Sequence, residues 1–242
     1  MVTVPLSAVS APTALVKICG LRTASDAIAC REAGAALVGL NFAPPGRRAI
    51  DAPAARTILR ERGGLPVLVY RDPARDTVLV ESEALNVDCV QLHGDESPAF
   101  CARLRAHGLR VIKALPFAGD PLALLAHARR YVGAVDALLL DAPRPGSGQP
   151  WSLAPLAHLD LPRPFLLAGG LTPATVAAAI AAVRPDGVDV ASGVETAGQI
   201  DPALVAAFVR EATAALHHTG ARWPWPPGPL RDAPAPSARG AS

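Results

Sequence analysis

The sequence predicts an α/β fold, a single (β/α)8 barrel of the TIM type, followed by a proline-rich and disordered C-terminal tail. Short runs rich in Val, Leu and Ile alternate eight times with Ala-rich amphipathic segments between residues 14 and 216. Eight β-then-α units in roughly 200 residues match the count and size of a compact barrel. The rival is a doubly wound open sheet, but Cys19-Gly20-Leu21-Arg22 after the first strand lacks the usual Gly-x-Gly-x-x-Gly turn.

The elements follow from the same alternation, read in chain order. Apolar runs predict strands at residues 14–19, 35–42, 66–70, 88–93, 110–115, 137–141, 164–168 and 187–191. Amphipathic segments predict helices at residues 24–33, 52–61, 75–85, 98–107, 121–131, 153–158, 173–183 and 202–216. A capping side chain or a first-turn proline opens most of the helices from the second onward, at Asp51, Asp72-Pro73, Ser97-Pro98, Asp120-Pro121, Thr172-Pro173 and Asp201-Pro202.

Composition limits the class of function. Hydrophobic residues make up 50% of the chain and aromatic residues only 4%, so aliphatic layers of Ala, Val and Leu must fill the interior. The formal net charge is +2, from 23 basic and 21 acidic residues. This balance argues against a nucleic-acid or membrane-surface partner and favours an enzyme that acts on a small molecule.

The two ends of the chain differ from the predicted barrel at 14–216. Residues 1–13 form an N-terminal extension without the pattern of a secretory signal, and no apolar run reaches the roughly 18 residues of a spanning helix. Residues 217–242 are rich in Pro, Ala and Gly, which predicts a disordered tail or a strap on the barrel. The four cysteines show no Cys-x-x-Cys pair, so we expect reduced thiols, a cytoplasmic protein and no metal site.

Polar residues recur at the ends of the predicted strands, where barrels of this kind place their working groups. If these faces point inward, the side chains form a ring around an aliphatic interior: Lys17, Cys19, Gln91, His93, Lys113, Asp141 and Asp189. Buried charges must be paired to be tolerated, so the two lysines and two aspartates could instead satisfy each other structurally. The ring is therefore either a reaction site or a set of ion pairs.

Glycine turns leave the seventh and eighth strands. Gly169-Gly170 and Ser192-Gly193 lie where such barrels usually bind phosphate, and glycines let backbone N–H groups approach an anion closely. Tight turns without a ligand are the alternative. Residues 141–148 follow the sixth strand and are rich in Gly and Pro, which is typical of a lid over a ligand or of an ordinary mobile loop.

In combination these motifs resemble those of one family, the phosphoribosylanthranilate isomerases of tryptophan biosynthesis. The resemblance runs in family order over residues 14–216, so it covers most of the chain. Lys17-Ile18-Cys19-Gly20 at the start is the first matching segment. The others are Gly39 to Phe42 with Arg48, Val90-Gln91-Leu92-His93-Gly94, Leu138-Leu139-Leu140-Asp141, Gly146-Ser147-Gly148 with Trp151, Gly169-Gly170-Leu171, and Val188-Asp189-Val190-Ala191-Ser192-Gly193-Val194-Glu195.

The resemblance implies an Amadori rearrangement of N-(5-phosphoribosyl)anthranilate, without a metal or organic cofactor. The sequence leaves open whether the protein is a monomer or a homodimer. The resemblance implies that Asp141 is the general acid and Cys19 the general base. It also implies that Arg48 binds the anthranilate carboxylate, with His93 and Asp189 lining the pocket. The phosphate would lie on Gly169, Gly170, Ser192 and Gly193. From spacing alone we add that Lys17, on the face of Cys19, favours the thiolate.

Some positions depart from the family pattern. Gly46-Arg47-Arg48 replaces the usual Ser-Pro-Arg, which leaves either arginine able to face the substrate, although the alignment favours Arg48. Ala168 and Ala191 replace serines and remove two hydroxyl contacts. The alternatives are a phosphosugar isomerase with another aglycone, a non-catalytic phosphate-binding barrel, or a hydrolase that uses Cys19 and His93.

Overall fold

Eight parallel strands close into a barrel in the computed structural model, which describes residues 14–141, 153–157 and 159–216. The strands are β1 (Leu15–Cys19), β2 (Leu37–Asn41), β3 (Leu65–Tyr70), β4 (Cys89–Leu92), β5 (Arg110–Pro116), β6 (Ala137–Asp141), β7 (Phe165–Leu167) and β8 (Gly187–Val190). Each strand pairs with the next along the chain. The barrel closes where β8 pairs with β1, with Lys17 opposite Asp189. The predicted (β/α)8 architecture is confirmed.

Seven helices cover the outside of the barrel in the described residues. They are α1 (Ala24–Ala33), α2 (Ala52–Leu59), α3 (Arg75–Leu85), α4 (Pro98–Ala106), α5 (Pro121–Arg129), α6 (Val176–Val183) and α7 (Pro202–Leu216). Side-chain caps hold several N-termini: Asp51 accepts a hydrogen bond from the backbone of Ala54, and Ser97 accepts one from Phe100. Each such cap contributes about 1 kcal/mol and fixes where the loop above the strand ends.

The core has two layers that follow the alternation of side chains along each strand. The first layer consists of mostly aliphatic side chains that point into the barrel, among them Leu15, Leu37, Val67, Cys89, Ile112, Ala137, Leu139 and Leu166. The intervening residues, such as Val16, Ile18, Leu68 and Leu138, point outward and pack under the helices. Because both faces are buried, each strand is apolar almost throughout, as in other parallel sheets.

Two predicted helices differ from the structure. The helix predicted at residues 153–158 is a short 3-10 turn over Ala154–Leu156, since six residues with Pro155 among them are too few for a stable α-helix. The helix predicted to begin at Pro173 begins at Val176, after a turn in which the hydroxyl of Thr175 accepts a hydrogen bond from the backbone of Thr172. Asp72 does not cap α3, whose N-cap is Ala74; it accepts from the backbone of Asp95 instead.

A small hairpin after β8 is absent from the sequence prediction. Strands β9 (Glu195–Thr196) and β10 (Gln199–Ile200) pair antiparallel around a turn in which Ala197 and Gly198 have φ angles of +51° and +77°. The carbonyl of Gly198 accepts hydrogen bonds from Arg22 and Arg47. The hairpin therefore joins the loops that follow β1, β2 and β8.

Three predictions concern residues that the structure does not describe: the N-terminal extension at 1–13, the possible lid at 141–148 beyond its first residue, Asp141, and the tail at 217–242. Within the described ranges, no helix is long and apolar enough to span a bilayer. In the same ranges, no group of three or more His, Cys, Asp and Glu side chains is arranged to hold a metal ion.

Candidate active site

A cavity of about 380 Å³ lies at the carboxyl ends of the barrel strands. Seven of the eight strands, all but β5, contribute residues from their ends or from the loops that follow, which places it where barrels of this type carry their chemistry. All nine residues that the sequence predicted for a site line this one cavity: Cys19, Arg48, His93, Asp141, Gly169, Gly170, Asp189, Ser192 and Gly193. Asn41 and Arg71 also line it, and sequence reasoning missed both, although each ends or follows an apolar run in the same way as Cys19 and Asp141.

The thiol of Cys19 lies beside a buried ion pair. Lys17, two residues earlier on β1, is completely buried, and its Nζ donates to Oδ1 of Asp189 at 2.7 Å. Gly39 on β2 makes room for both groups, because a Cβ there would lie 2.7 Å from the Cys19 sulfur and 3.2 Å from the Lys17 Nζ. The lysine, the thiol and the carboxylate thus occupy one compact corner of the cavity.

In this corner, desolvation and the neighbouring charges shift the pKa values of Cys19 and Lys17 in opposite directions. Desolvation raises the pKa of the Cys19 thiol above its ordinary value, and the ammonium of Lys17 and the guanidinium of Arg48 only partly offset this rise. For Lys17, desolvation alone would lower the pKa, but the Asp189 carboxylate and Cys19 raise it above the ordinary value, so the lysine stays charged. Lys17 therefore acts on the thiol in the expected direction, although desolvation of the thiol outweighs it.

On the opposite side of the cavity, Asp141 contacts His93. Asp141 is the last residue of β6, and its Oδ2 lies 3.2 Å from Nε2 of His93, the residue after β4. The other ring nitrogen, Nδ1, lies 3.1 Å from the amide nitrogen of Gln91. The carboxyl group is 17% exposed and the imidazole 30%, so both reach the cavity while remaining held by neighbours.

Arg48 approaches the cavity in a fixed orientation. Its Nε and Nη2 donate to the two carboxylate oxygens of Glu195 at 2.6 and 3.0 Å. Arg47 donates to the same carboxylate but is half exposed, and Arg48 rather than Arg47 is among the residues that line the cavity. Desolvation alone would raise the pKa of Glu195, but hydrogen bonds from both arginines lower it, so the Glu195 carboxylate is ionised at neutral pH.

Two glycine loops form the remaining wall. Gly169 and Gly170 both have positive φ angles, +92° and +68°, in the turn after β7. Gly193, after β8, packs so closely on the carbonyl of Leu171 that any Cβ would overlap it. The two loops are therefore in direct contact and present one concave stretch of backbone to the cavity, a surface suited to an anion.

Lys113 is the one member of the predicted ring that the structure places elsewhere. Its neighbours Ile112 and Ala114 face the barrel interior, so Lys113 points outward. There its Nζ lies 3.0 Å from the carboxylate of Glu96 and donates to the carbonyls of Leu92, Gly94 and Ala114. The prediction of an inward Lys113 was wrong because both faces of a parallel strand are apolar. The sequence pattern of such a strand therefore does not show which side chains point inward.

Comparisons with known proteins identify the family. A family model described as N-(5'-phosphoribosyl)anthranilate isomerase matches residues 16–211. The chain belongs to this family. An N-(5'-phosphoribosyl)anthranilate isomerase from Myxococcus xanthus is 45% identical over 206 residues, which cover 81% of this chain and 95% of that protein.

Solved structures give the same family. TrpF from Jonesia denitrificans is 36% identical with a TM-score of 0.73, covering 84% of this chain and 98% of that one. A phosphoribosyl anthranilate isomerase in complex with reduced 1-(O-carboxyphenylamino)-1-deoxyribulose 5-phosphate is 31% identical, with a TM-score of 0.71 and coverage of 83% and 99%. Monomers made from the dimeric Thermotoga maritima isomerase are 31% identical, with a TM-score of 0.68 and coverage of 82% and 98%.

Proposed function

We propose that this chain rearranges N-(5'-phosphoribosyl)anthranilate, an aminoaldose, to 1-(2-carboxyphenylamino)-1-deoxyribulose 5-phosphate, the aminoketose, in tryptophan biosynthesis. One observation carries the proposal for the residues. A single cavity in a chain of this family is lined by a thiol, a carboxyl group, an arginine and two glycine loops. These are the groups that a base, an acid, a carboxylate site and a phosphate site require.

Asp141 acts as the general acid. In its protonated form it gives a proton to the ring oxygen of the ribose while the C1–O bond breaks. The anthranilate nitrogen supplies its lone pair to C1, and a C=N iminium forms. The position of Asp141 at the end of β6, partly exposed to the cavity, lets the carboxyl group reach a ligand there.

Cys19 acts as the general base. Its thiolate takes the proton from C2, and the electrons of that C–H bond form a C1=C2 double bond while the iminium nitrogen becomes neutral. The resulting enolamine becomes the ketone when the C2 hydroxyl loses a proton and C1 gains one. Asp141 gives up one proton and Cys19 gains one, while the electron pairs move within the substrate, so the rearrangement balances without an oxidant or a reductant.

The remaining residues position the substrate. Arg48 binds the anthranilate carboxylate through the guanidinium edge that Glu195 leaves available, since Glu195 occupies only Nε and one side of Nη2. The phosphate lies on the backbone of Gly169, Gly170, Ser192 and Gly193. Asp189 holds Lys17 next to the thiol, and His93 contacts the acid.

We also propose a reducing, cytoplasmic setting and a monomer or homodimer as the working form. All four cysteines are free thiols, as a reducing compartment requires. Sedimentation velocity at micromolar concentration separates monomer from homodimer.

A coupled fluorescence assay tests the proposal. Anthranilate, phosphoribosyl pyrophosphate and the transferase that joins them supply the substrate, and loss of the fluorescent adduct is followed over time. We expect fast decay with the wild type and a decrease in kcat of about 10²–10⁴-fold in Cys19→Ser and in Asp141→Asn, which is the usual effect of removing a general base or acid. Wild-type decay no faster than the spontaneous background would reject the substrate. Full activity in either variant would reject that residue's role.

A further inference from the structure

Arg71 is a cation at the mouth of the cavity to which the proposed function assigns no role. It follows β3 directly, its side chain is exposed, and it lines the cavity. Val69, two residues earlier, also lines the cavity, and side chains two apart lie on the same face of a strand. The backbone N–H of His93 donates to the carbonyl of Tyr70, which places Arg71 in register with His93 at the top of β4. Arg71 therefore faces the cavity from the side of β3.

The charge of Arg71 is not balanced within the described part of the chain. Of the other charged groups that line the cavity, Arg48 is bound by Glu195. Asp189 is bound by Lys17. Arg71 makes no ion pair or hydrogen bond with any residue that the structure describes. Because a guanidinium cannot be deprotonated in a protein, Arg71 presents a full positive charge to the cavity.

The acidic side chains nearest to Arg71 in sequence are bound to other groups. Asp72, the next residue, accepts a hydrogen bond from the backbone N–H of Asp95. Glu96 pairs with Lys113 on the outer face of the sheet and accepts from the backbone N–H of Asp72. Arg71 is thus available to an anion that enters the cavity from solution.

The place of Arg71 in the barrel indicates which anion of the proposed substrate it meets. The glycine loops to which the phosphate is assigned follow β7 and β8. Strand β3 is four strands away from β7 in either direction around the closed barrel. The phosphate and the ring that bears the carboxylate are at opposite ends of the substrate. A phosphate over β7 and β8 therefore directs the aromatic carboxylate towards the side of β3.

Arg48 approaches the cavity from a different direction. Its side chain crosses the end of β1, where a Cβ on Gly20 would collide with the Cδ of Arg48. Its Nε and Nη2 donate to Glu195, which follows β8. The guanidinium of Arg48 is therefore held on the side of β1 and β8, whereas Arg71 extends from β3. A carboxylate has two oxygens with about four lone-pair sites, so it can accept hydrogen bonds from two guanidinium groups at once.

We infer that Arg71 is a substrate-binding residue that holds the anthranilate carboxylate together with Arg48. The inference rests on the proposed function, since it requires an aromatic carboxylate at the end of the substrate away from the phosphate. Arg71 then contributes to specificity, because it favours an aglycone that carries a carboxylate over one that lacks it. It acts on affinity and takes no part in proton transfer.

Two stable ligands test this inference in the full chain. One is the proposed product with its ketone reduced to an alcohol, and the other is the same compound with a phenyl group in place of the carboxyphenyl group. Isothermal titration calorimetry gives the Kd of each ligand for the wild type and for Arg71→Gln. We expect Arg71→Gln to raise the Kd of the carboxylate ligand about five- to tenfold and that of the phenyl ligand less than about twofold. Equal changes for both ligands, or no change for either, would overturn the inference.

Two further variants control for charge and position. Arg71→Lys keeps the positive charge and should recover part of the lost affinity for the carboxylate ligand, although an ammonium group lacks the planar fork of a guanidinium. Arg56→Gln removes the same charge from an exposed position on α2 that does not line the cavity, and each Kd should stay within about 1.5-fold of the wild-type value. An effect of Arg56→Gln as large as that of Arg71→Gln would mean that net charge, rather than contact, sets the affinity, and would overturn the inference.

The outcomes separate this inference from the proposed function, because the reduced ligands bind without reacting. If the wild type does not convert phosphoribosylanthranilate but binds the carboxylate ligand with a preference that depends on Arg71, the proposed reaction fails and the inference stands. If the wild type is active but Arg71→Gln binds the carboxylate ligand as tightly as the wild type does, the inference fails and the proposed function stands. A wild type that does not bind the carboxylate ligand would also overturn the inference.

Discussion

Two buried lysines lie on opposite faces of the same sheet and differ in the partners that they bind. Lys17 points into the barrel and pairs only with Asp189 among the described carboxylates, next to the Cys19 thiol. Lys113 points outward, pairs with Glu96, and also donates to three backbone carbonyls under the loop that follows β4. The inner pair places its charge beside the proposed base, whereas the outer pair holds the backbone on which His93 is placed.

The difference shows that burial alone does not tell a functional ion pair from a structural one. Lys17 and Lys113 are 0% and 1% exposed. The surroundings separate them: the carboxylate of Glu96 also accepts from the backbone N–H groups of Asp72 and Gly94, so the outer pair carries part of the main-chain hydrogen bonding. The inner pair makes no comparable contact with the backbone in the described structure.

Breaking either pair should have the largest effect. Lys17→Met and Lys113→Met each leave a buried carboxylate without its partner, and we expect each to lower the free energy of unfolding by about 3–5 kcal/mol. Urea denaturation followed by circular dichroism measures it. Arg210→Met is the control, because the pair of Arg210 with Glu211 is exposed and should contribute less than about 0.5 kcal/mol. Equal losses in all three variants would contradict the distinction by burial.

Removing both partners of a pair should restore stability for the inner pair but not for the outer one. Lys17→Met/Asp189→Leu replaces two charges with apolar groups and should regain most of the lost stability, while activity stays low. Lys113→Met/Glu96→Leu should remain less stable by about 1–3 kcal/mol for each backbone group left unpaired. Similar recovery in both double variants would mean that the backbone contacts of the outer pair contribute little.

The two lysines should also differ in their effect on the reactivity of the Cys19 thiol, and this effect should be of intermediate size. Because the pKa of Cys19 is raised, its thiolate is a minority at neutral pH, and we expect its alkylation rate to keep rising as pH increases past 9. Lys17→Met should slow the reaction about tenfold, equivalent to one pKa unit, and Lys113→Met less than twofold. Iodoacetamide labelling with mass spectrometry measures both rates.

The other thiols serve as internal controls for that measurement. Burial raises the pKa of Cys30 and Cys89 to about 12 and that of Cys101 to about 11, and all three are buried. We therefore expect one label per native chain, and labelling at any of these three positions would show that the protein opens on the timescale of the reaction.

The partly exposed cluster of Arg48, Glu195 and Arg47 should give the smallest effect. Glu195→Gln weakens the bidentate hold on Arg48, and we expect KM to rise about three- to tenfold with kcat within twofold. Arg47→Ala should change KM less than twofold, since that side chain is half exposed. Steady-state kinetics measures both, and a fall in kcat without a change in KM for Glu195→Gln would contradict a role in binding.

The fold was predictable because its signals are local. Each strand is an apolar run, and side chains such as Asp51 and Ser97 mark the helix starts within four residues. The positions of Cys19 and Asp141 at the mouth of the barrel were also predictable, since each follows an apolar run and is the last residue of its strand.

What the sequence did not contain is the direction and pairing of side chains. Lys113 and Lys17 look alike in strands that are apolar on both faces, so only the barrel register shows that one is inside and the other outside. The bond between Arg48 and Glu195 joins residues 147 positions apart and needs the closed barrel to exist. The hairpin at Ala197 and Gly198 lacks the Asn-Gly signal by which such turns are usually recognised.

The pair of Lys17 and Asp189 also links the surroundings of Cys19 to the last step of barrel folding. The lysine belongs to the first strand and the aspartate to the last, 172 residues later, so they meet only across the seam that closes the barrel. A nascent chain that has emerged from the ribosome through its sixth strand already holds both Cys19 and Asp141. The environment of its thiol is complete only when the eighth unit docks. Ring closure and the assembly of the reaction site are therefore one event.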